Sequence, residues 1–299
     1  MDPVRVALDG RELVLTNLDK VMYPAAGVTK AGVVDYYRQV APVMLPHLRD
    51  RPLTLVRCPD GTDGERFVEK RCPPGAPSWV RTGGPQGSAI ADEPATLVWL
   101  ANLAALELHT HQHTASDPER PRAVIFDLDP GPPAGLLECA RLALELRDVL
   151  ERLGLRSLVK TSGSKGLHVS VPLEPDGRVG ADETKAFAWA VADLLARRAP
   201  DRVVTEMARA VRAGKVFVDW SQNDAHKTTV SAYSLRARER PWVSTPLRWE
   251  EVERAVHDGT AEPLRFEAPA VLERVTGHGD LWAANVAGGQ HLPRTSPDR

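Results

Sequence analysis

Two aspartates, Asp127 and Asp129, close an apolar run in the stretch VIFDLDPG and are followed at once by Pro130 and Gly131. Carboxylates at the end of a buried strand are costly unless something pairs with them. Residues i and i+2 of a strand point to the same face, about 6.6 Å apart at ~3.3 Å rise per residue. The two acids would therefore project together, a geometry that can bridge metal ions. Paired ions ~3.5–4 Å apart clamp the attacking and leaving oxygens of a phosphoryl transfer. The plainer alternative is a turn at Asp129-Pro130-Gly131, with Asp127 capping it. Asp219 ends a second β-branched and aromatic run, VFVDW. Alone it reads as a satisfied core acid or turn former; as a third strand-end acid it favours a three-carboxylate metal cluster. Hard oxygen donors suit Mg²⁺ or Mn²⁺ better than zinc.

The stretch KTSGSKGLHV supplies the complementary charge. Ser162, Gly163, Ser164, Lys165 and Gly166 form a small basic turn whose backbone N–H groups can approach phosphate. His168 follows on the next strand. The spacing is not that of a nucleotide-binding P-loop, and such a turn is commonly just a hairpin. Beside three acids, Lys165 and His168 favour a triphosphate site. A third stretch, ELHTHQHT, alternates His109, His111 and His113 as zinc ligands on a strand would. A helix end running into a loop explains the pattern as simply, with one histidine near the acids.

The elements that position these groups can be read from the pattern around them. The chain has 299 residues, 42% of them hydrophobic, enough for a sizeable core in one large domain or two lobes. A formal charge of −2 excludes a globally basic nucleic-acid coat, so any polyanion site must be local. The three cysteines, Cys58, Cys72 and Cys139, lack paired spacing and fit reduced thiols. With no 20-residue apolar stretch, signal peptide or internal repeat, a soluble cytoplasmic protein is expected. Residues 5–15 read as a hairpin turning at Asp9-Gly10. A helix follows with Thr29 as its N-cap and Pro46 near its end. Two strands around a Gly/Asp loop come next, then a buried helix over 95–109. From 122 to 220 the order is strand, helix, hairpin, helix, strand, which predicts an α+β sheet with helices on one face. The last 40 residues read as one helix, WEEVERAVHDG, and a loose tail, GGQHLPRTSPDR.

Taken together and in order, TNLDKVMYP, GVTK, RFVEK, ELHT, FDLDPG, KTSGSKGLHV, VFVDWSQNDAHKTTVSAYSLRAR and VSTPLRW resemble the polymerase domain of bacterial ligase D, of the archaeo-eukaryotic primase superfamily. The resemblance covers about residues 12–250. It implies a primase-type α+β fold: an RRM-like catalytic sheet (about 121–250), an N-terminal α/β lobe (about 1–120) and a C-terminal helix and tail (about 251–299), all in one domain. It implies template-directed nucleotidyl transfer in non-homologous end joining, with two Mn²⁺ or Mg²⁺ ions and a preference for ribonucleotides. Asp127, Asp129 and Asp219 match the metal motifs. Ser162, Ser164, Lys165 and His168 fall in the triphosphate motif, and Gln222 and Arg236 at further nucleotide contacts. His109 matches the histidine upstream of the acid pair. Lys20 and Lys30 match a pair that reads the 5′-phosphate of the downstream DNA strand, and Phe67 an aromatic that stacks on the template. Val68 replaces a second aromatic frequent in relatives, and Val56 a basic residue before Arg57, which weakens those two contacts. The chain has no room for the family's ligase and phosphoesterase modules and no KxDG stretch, so a free-standing polymerase is expected. A Ku-type end-binding protein and a separate ligase would be its partners. The competing readings are a primase that starts chains de novo, a phosphohydrolase using Asp127 as nucleophile, and a non-catalytic end-bridging protein.

Overall fold

The computed structural model describes residues 2–174 and 178–293, and its chain folds around two hydrophobic cores. The first half contributes β1 (Val4–Leu8), β2 (Arg11–Leu15), β3 (Val21–Tyr23), β4 (Val28–Thr29), α1 (Lys30–Leu48), β5 (Leu53–Arg57), β6 (Phe67–Glu69), β7 (Arg81–Gly83), β8 (Ser88–Ile90), α2 (Pro94–Asn102) and β9 (Ala105–Thr110). The second contributes β10 (Ala123–Pro130), α3 (Leu136–Arg152), β11 (Leu158–Thr161), β12 (Leu167–Pro172), α4 (Ala181–Arg198), β13 (Val203–Val204), β14 (Val216–Asp219), β15 (Thr229–Val230), β16 (Pro246–Leu247), α5 (Trp249–Asp258), α6 (Ala268–His278) and α7 (Ala284–Ala287).

The second half is a six-stranded sheet in the order β13-β14-β10-β12-β11-β16, antiparallel except for β13 against β14. Period-two alternation divides its faces. Val124, Phe126 and Leu128 of β10, Leu167, Val169 and Val171 of β12, and Val216 and Val218 of β14 enter the second core. There they meet Leu142, Leu146 and Leu150 of α3 and Val191 and Leu195 of α4. Each large aliphatic buried this way contributes roughly 1.5–3 kcal/mol. The helices lie on one face, as the sequence order predicts. The alternate residues Asp127, Asp129, His168, Lys160 and Asp219 are thereby left on the other.

That second face looks toward the first lobe. A four-stranded sheet, β15-β9-β5-β6, packs with α1 and α2 into the first core. Residues up to Leu108 enter the first core and those from Val124 the second, but the chain crosses back. β15 pairs with β9, and Ala232, Tyr233, Leu235 and Val243 join the first core. These returning residues hold the two lobes together over the polar face.

Two expectations are corrected. The helix placed over 95–109 ends at Asn102. Ala104 adopts a left-handed conformation (φ 59°), and the next residues pair with β5 as β9. Apolar spacing does not separate a buried helix from a buried strand, and pairing decides. Among the described residues the C-terminal region holds three helices rather than one: α6 and α7 follow α5, and both pack against α1. Part of the expected loose tail is pinned, since Gln290 bonds the carbonyls of Arg156 and Pro172. Residues 294–299 of that tail lie outside the described residues. No helix among the described residues is long and apolar enough to cross a membrane.

Candidate active site

Strand register carries four polar residues across the sheet in one row. Asp219 lies opposite Asp127, Asp127 opposite His168, and His168 opposite Lys160. Directly opposed residues of an antiparallel pair hold their Cβ atoms ~4.5–5.5 Å apart. His168 Nε2 stands 3.4 Å from Asp127 Oδ1, and its Nδ1 is 3.1 Å from Lys160 Nζ. Lys160 also donates to Ser244 Oγ (2.6 Å) and to the Val230 carbonyl (3.1 Å). With Lys160 donating, His168 accepts at Nδ1 and carries its hydrogen on Nε2, toward Asp127.

Burial sets the electrostatics of this row. It opposes ionisation of Asp127, but His168 beside it, with Lys160 and Arg236 behind, holds the carboxyl below its usual range. Burial, reinforced by Arg236, brings Lys160 down to about 7. Burial and Lys160 likewise lower His168, which favours the neutral imidazole.

The other two acids are nearby and differently engaged. Asp129 lies 3.0 Å from Lys165 Nζ and 3.5 Å from Arg212 Nη1, whose guanidinium stacks 3.6 Å over the Phe217 ring. Asp219 accepts from the Ser221 amide (3.0 Å), the Ser221 hydroxyl and Gln222 Nε2 (2.9 Å). The donor set suits a hard divalent cation: three carboxylates on adjacent strands, with Asp127 ionised. As placed, the oxygens face these partners. Among the described residues no three His, Cys, Asp or Glu side chains stand in a metal-holding geometry. A cation at this site would replace Lys165 and Arg212 at Asp129, and Ser221 and Gln222 at Asp219.

The basic turn closes over the row. The Ser162 hydroxyl accepts from the amides of Gly166 (3.2 Å) and Ser164 (3.3 Å), so it shapes the turn rather than pointing outward. Gly166 permits close approach, because a Cβ there would stand 2.0 Å from the Leu128 carbonyl oxygen. Gly163 takes φ +66° with Arg236, Val243 and Ser244 packed against it. Arg236 donates through Nη1 to the Ser162 carbonyl, and its Nε lies 3.2 Å from Glu107 Oε1. His109, on β9, pairs with the same carboxylate (Nε2 to Oε2, 2.8 Å).

His109 is thus separated from the other two histidines of its run. His111 and His113 lie beyond β9, stacked 4.8 Å apart, and both reach the Ala225 carbonyl. Among the described residues they form no metal-holding group with His109.

The residues expected to contact a DNA end lie in the first lobe. Lys20 and Lys30 come together: the Lys30 amide bonds the Lys20 carbonyl at 2.8 Å. Burial, then the Lys20 charge, lowers the Lys30 ammonium to about 8. The helix start is less open than expected, since the Lys30 and Ala31 amides are taken by the carbonyls of Lys20 and Leu18, and Thr29 makes no side-chain cap. Lys20 Nζ meets Asp60 at 2.6 Å. Phe67 (47% exposed) and Val68 (67%) present an apolar step on the edge strand β6. Arg57, next to Val56, is tied to Glu69 and the Leu103 carbonyl. The three thiols are unpaired, with Cys58 and Cys139 buried.

Lys160, Glu107 and Arg212 escape a reading of the sequence. Glu107 alternates with His109 in an apolar strand, a pattern that could have singled it out once 105–110 was read as a strand. Nothing in the local sequence marks Arg212.

A two-core α+β fold with three carboxylates under a basic Gly/Ser turn defines a nucleotidyltransferase-like architecture. Residues 29–282 match the family described as "LigD, primase-polymerase domain", and the chain belongs to that family. It is 42% identical over 278 residues to the Multifunctional non-homologous end joining protein LigD of Mycolicibacterium smegmatis, covering 90% of this chain and 35% of that protein. With the Bifunctional non-homologous end joining protein LigD of Bacillus subtilis it shares 31% identity over 270 residues, covering 90% and 43%. Among solved structures, it superimposes on the polymerase domain from Mycobacterium tuberculosis ligase D in complex with DNA. The TM-score is 0.85 and the identity 39%, over 93% of this chain and 99% of that one. The chain spans about a third of the length of the mycobacterial relatives it matches.

Proposed function

We propose that this chain is a template-directed nucleotidyltransferase that fills gaps and extends ends in bacterial non-homologous end joining. It joins an NTP or dNTP to a primer 3′-hydroxyl and releases pyrophosphate. The observation that carries this reading is the opposition of Asp127 and Asp219 across β10 and β14, with His168 and the basic turn beside them.

Asp127, Asp129 and Asp219 would hold two Mn²⁺ or Mg²⁺ ions, which when bound lower the 3′-hydroxyl pKa and neutralise charge on the leaving group. The chain's own groups bind and orient the nucleotide. Lys165, 54% exposed, can exchange Asp129 for a phosphate oxygen. Arg236 would offer donors where negative charge moves, with Ser162, Ser164 and His168 shaping the site around it. Gln222, bonded to Asp219, and His109, bonded to Glu107, would add further nucleotide contacts. Phe67 would stack on a template base, and Lys20 with Lys30 would take the 5′-phosphate of the downstream strand. That lysine pair favours work at gaps and ends over de novo priming. The names of the relatives support the end-joining context; a Ku-type end-binding partner, a separate DNA ligase and a cytoplasmic location belong to the same proposal.

The test is extension of a labelled primer on gapped DNA with NTPs or dNTPs, in Mg²⁺ or Mn²⁺. Addition of one or a few nucleotides, with NTPs preferred, is expected. A clear dNTP preference would remove the ribonucleotide part of the reading, and no addition with either metal would remove the whole.

A further inference from the structure

Glu107 is a buried carboxylate, 7% exposed, on the strand that carries His109. At two residues' separation both side chains lie on one face of β9. Its Oε2 is 2.8 Å from His109 Nε2. Its Oε1 accepts from the Ala237 amide at 2.9 Å and lies 3.2 Å from Arg236 Nε. Arg236 in turn reaches the Ser162 carbonyl in the basic turn. His109 and Arg236, brought from different parts of the chain, therefore converge on one anion.

We propose that Glu107 is a positioning residue of the nucleotide site, fixing the ring of His109 and the guanidinium of Arg236 toward the incoming triphosphate without touching it. This rests on the nucleotidyl-transfer reading above. A carboxylate only accepts hydrogen bonds, so His109 must present Nε2–H to it, leaving Nδ1 for whatever enters the site. Arg236 Nε has no aligned hydrogen-bond partner. Its contact with Glu107 is charge attraction, which a neutral amide cannot replace. Burial disfavours the ionised form of Glu107, but His109, Arg236 and the Ala237 amide outweigh it and hold the group at about 2. The anion is present throughout the working pH range.

Glu107→Gln keeps the shape and removes the charge. Its amide N–H can face His109, which turns the ring to the opposite tautomer, while Arg236 loses its counter-charge. The expected result is a KM for NTP raised about tenfold with kcat changed by less than about threefold, the split of a lost binding interaction. Affinity for gapped DNA stays unchanged. The ¹⁵N shifts of the His109 ring, measured without nucleotide, report Nε2–H in the unmutated protein and its loss in the variant. Glu107→Asp, which keeps the charge on a shorter arm, retains Nε2–H and has an intermediate KM. An unchanged KM in a folded Glu107→Gln protein overturns the proposal. So does an Nδ1–H tautomer for His109 in the unmutated protein, a measurement that stands even if the variant does not fold. If the unmutated protein adds no nucleotide at all, the functional reading fails first and the proposal falls with it.

Discussion

Asp127 and Asp219 face each other as direct cross-strand partners on β10 and β14, and the first also faces His168 on its other side. Two carboxylates so placed repel unless cationic groups or metal ions lie between and around them. The molecule surrounds them with Lys160, Lys165, Arg212 and Arg236, and sets the neutral His168 ring against Asp127. The site is built as an alternation of anions and cations on the one sheet face that the helices leave open.

The Lys20–Lys30 pair predicts a preference for DNA carrying a 5′-phosphate. Two charge-assisted contacts, each roughly 1.5–3 kcal/mol, should make gapped DNA with a downstream 5′-phosphate bind at least tenfold tighter than the 5′-hydroxyl form (~1.4 kcal/mol per tenfold). Because Lys30 titrates at about 8, it is mostly charged at pH 7 and mostly neutral at pH 9. The preference should shrink as pH rises between them. Titration of both DNAs at fixed salt checks this; equal affinity at pH 7 removes the pocket.

Phe67 predicts a loss confined to the template strand. The side chain is half exposed at a sheet edge, so Phe67→Ala should leave the melting temperature nearly unchanged. A lost base stack is worth roughly 1–3 kcal/mol. Weaker binding of DNA with a single-stranded template, with duplex affinity retained, is the expected outcome. Unaltered affinity for both would place the template elsewhere.

Lys160 predicts a pH-dependent stability. An unfolded lysine titrates near 10.4, whereas Lys160 in the folded chain does so at about 7. Between those values the unfolded state binds the extra proton, so stability rises with pH. The cost of burying the ammonium is full below about 7 and fades toward 10. Compared with Lys160→Met, the unmutated protein should therefore gain stability from pH 7 to 9.5. Urea unfolding of both proteins at the two pH values measures it, and a constant difference contradicts it.

Much of this arrangement was legible in the sequence because strand-end acids in apolar runs are conspicuous. VIFDLDPG and VFVDW show where Asp127, Asp129 and Asp219 must lie, and KTSGSKGLHV shows the turn above them. The cross-strand register that sets Asp219 against Asp127 is a tertiary property with no local mark. The same holds for Lys160, an ordinary-looking lysine until its neighbours on β12 and β15 are known. The helix-for-strand error at 105–110 hid Glu107 by hiding its alternation with His109. The crossing of residues 229–243 into the first lobe was likewise invisible, because it depends on which sheet edge stood open to receive them.

The central claim is that the three strand-end acids carry out nucleotide transfer. The most direct measurement is single-turnover extension of a labelled primer on 5′-phosphorylated gapped DNA in Mn²⁺, by the unmutated protein and by Asp127→Asn and Asp219→Asn. Each substitution should slow addition by about a thousandfold or more, since every tenfold corresponds to ~1.4 kcal/mol of transition-state stabilisation. DNA affinity should change by less than about threefold, because cationic groups elsewhere carry the phosphate contacts. Extension by the doubly substituted protein at a rate comparable to the unmutated one would contradict the account.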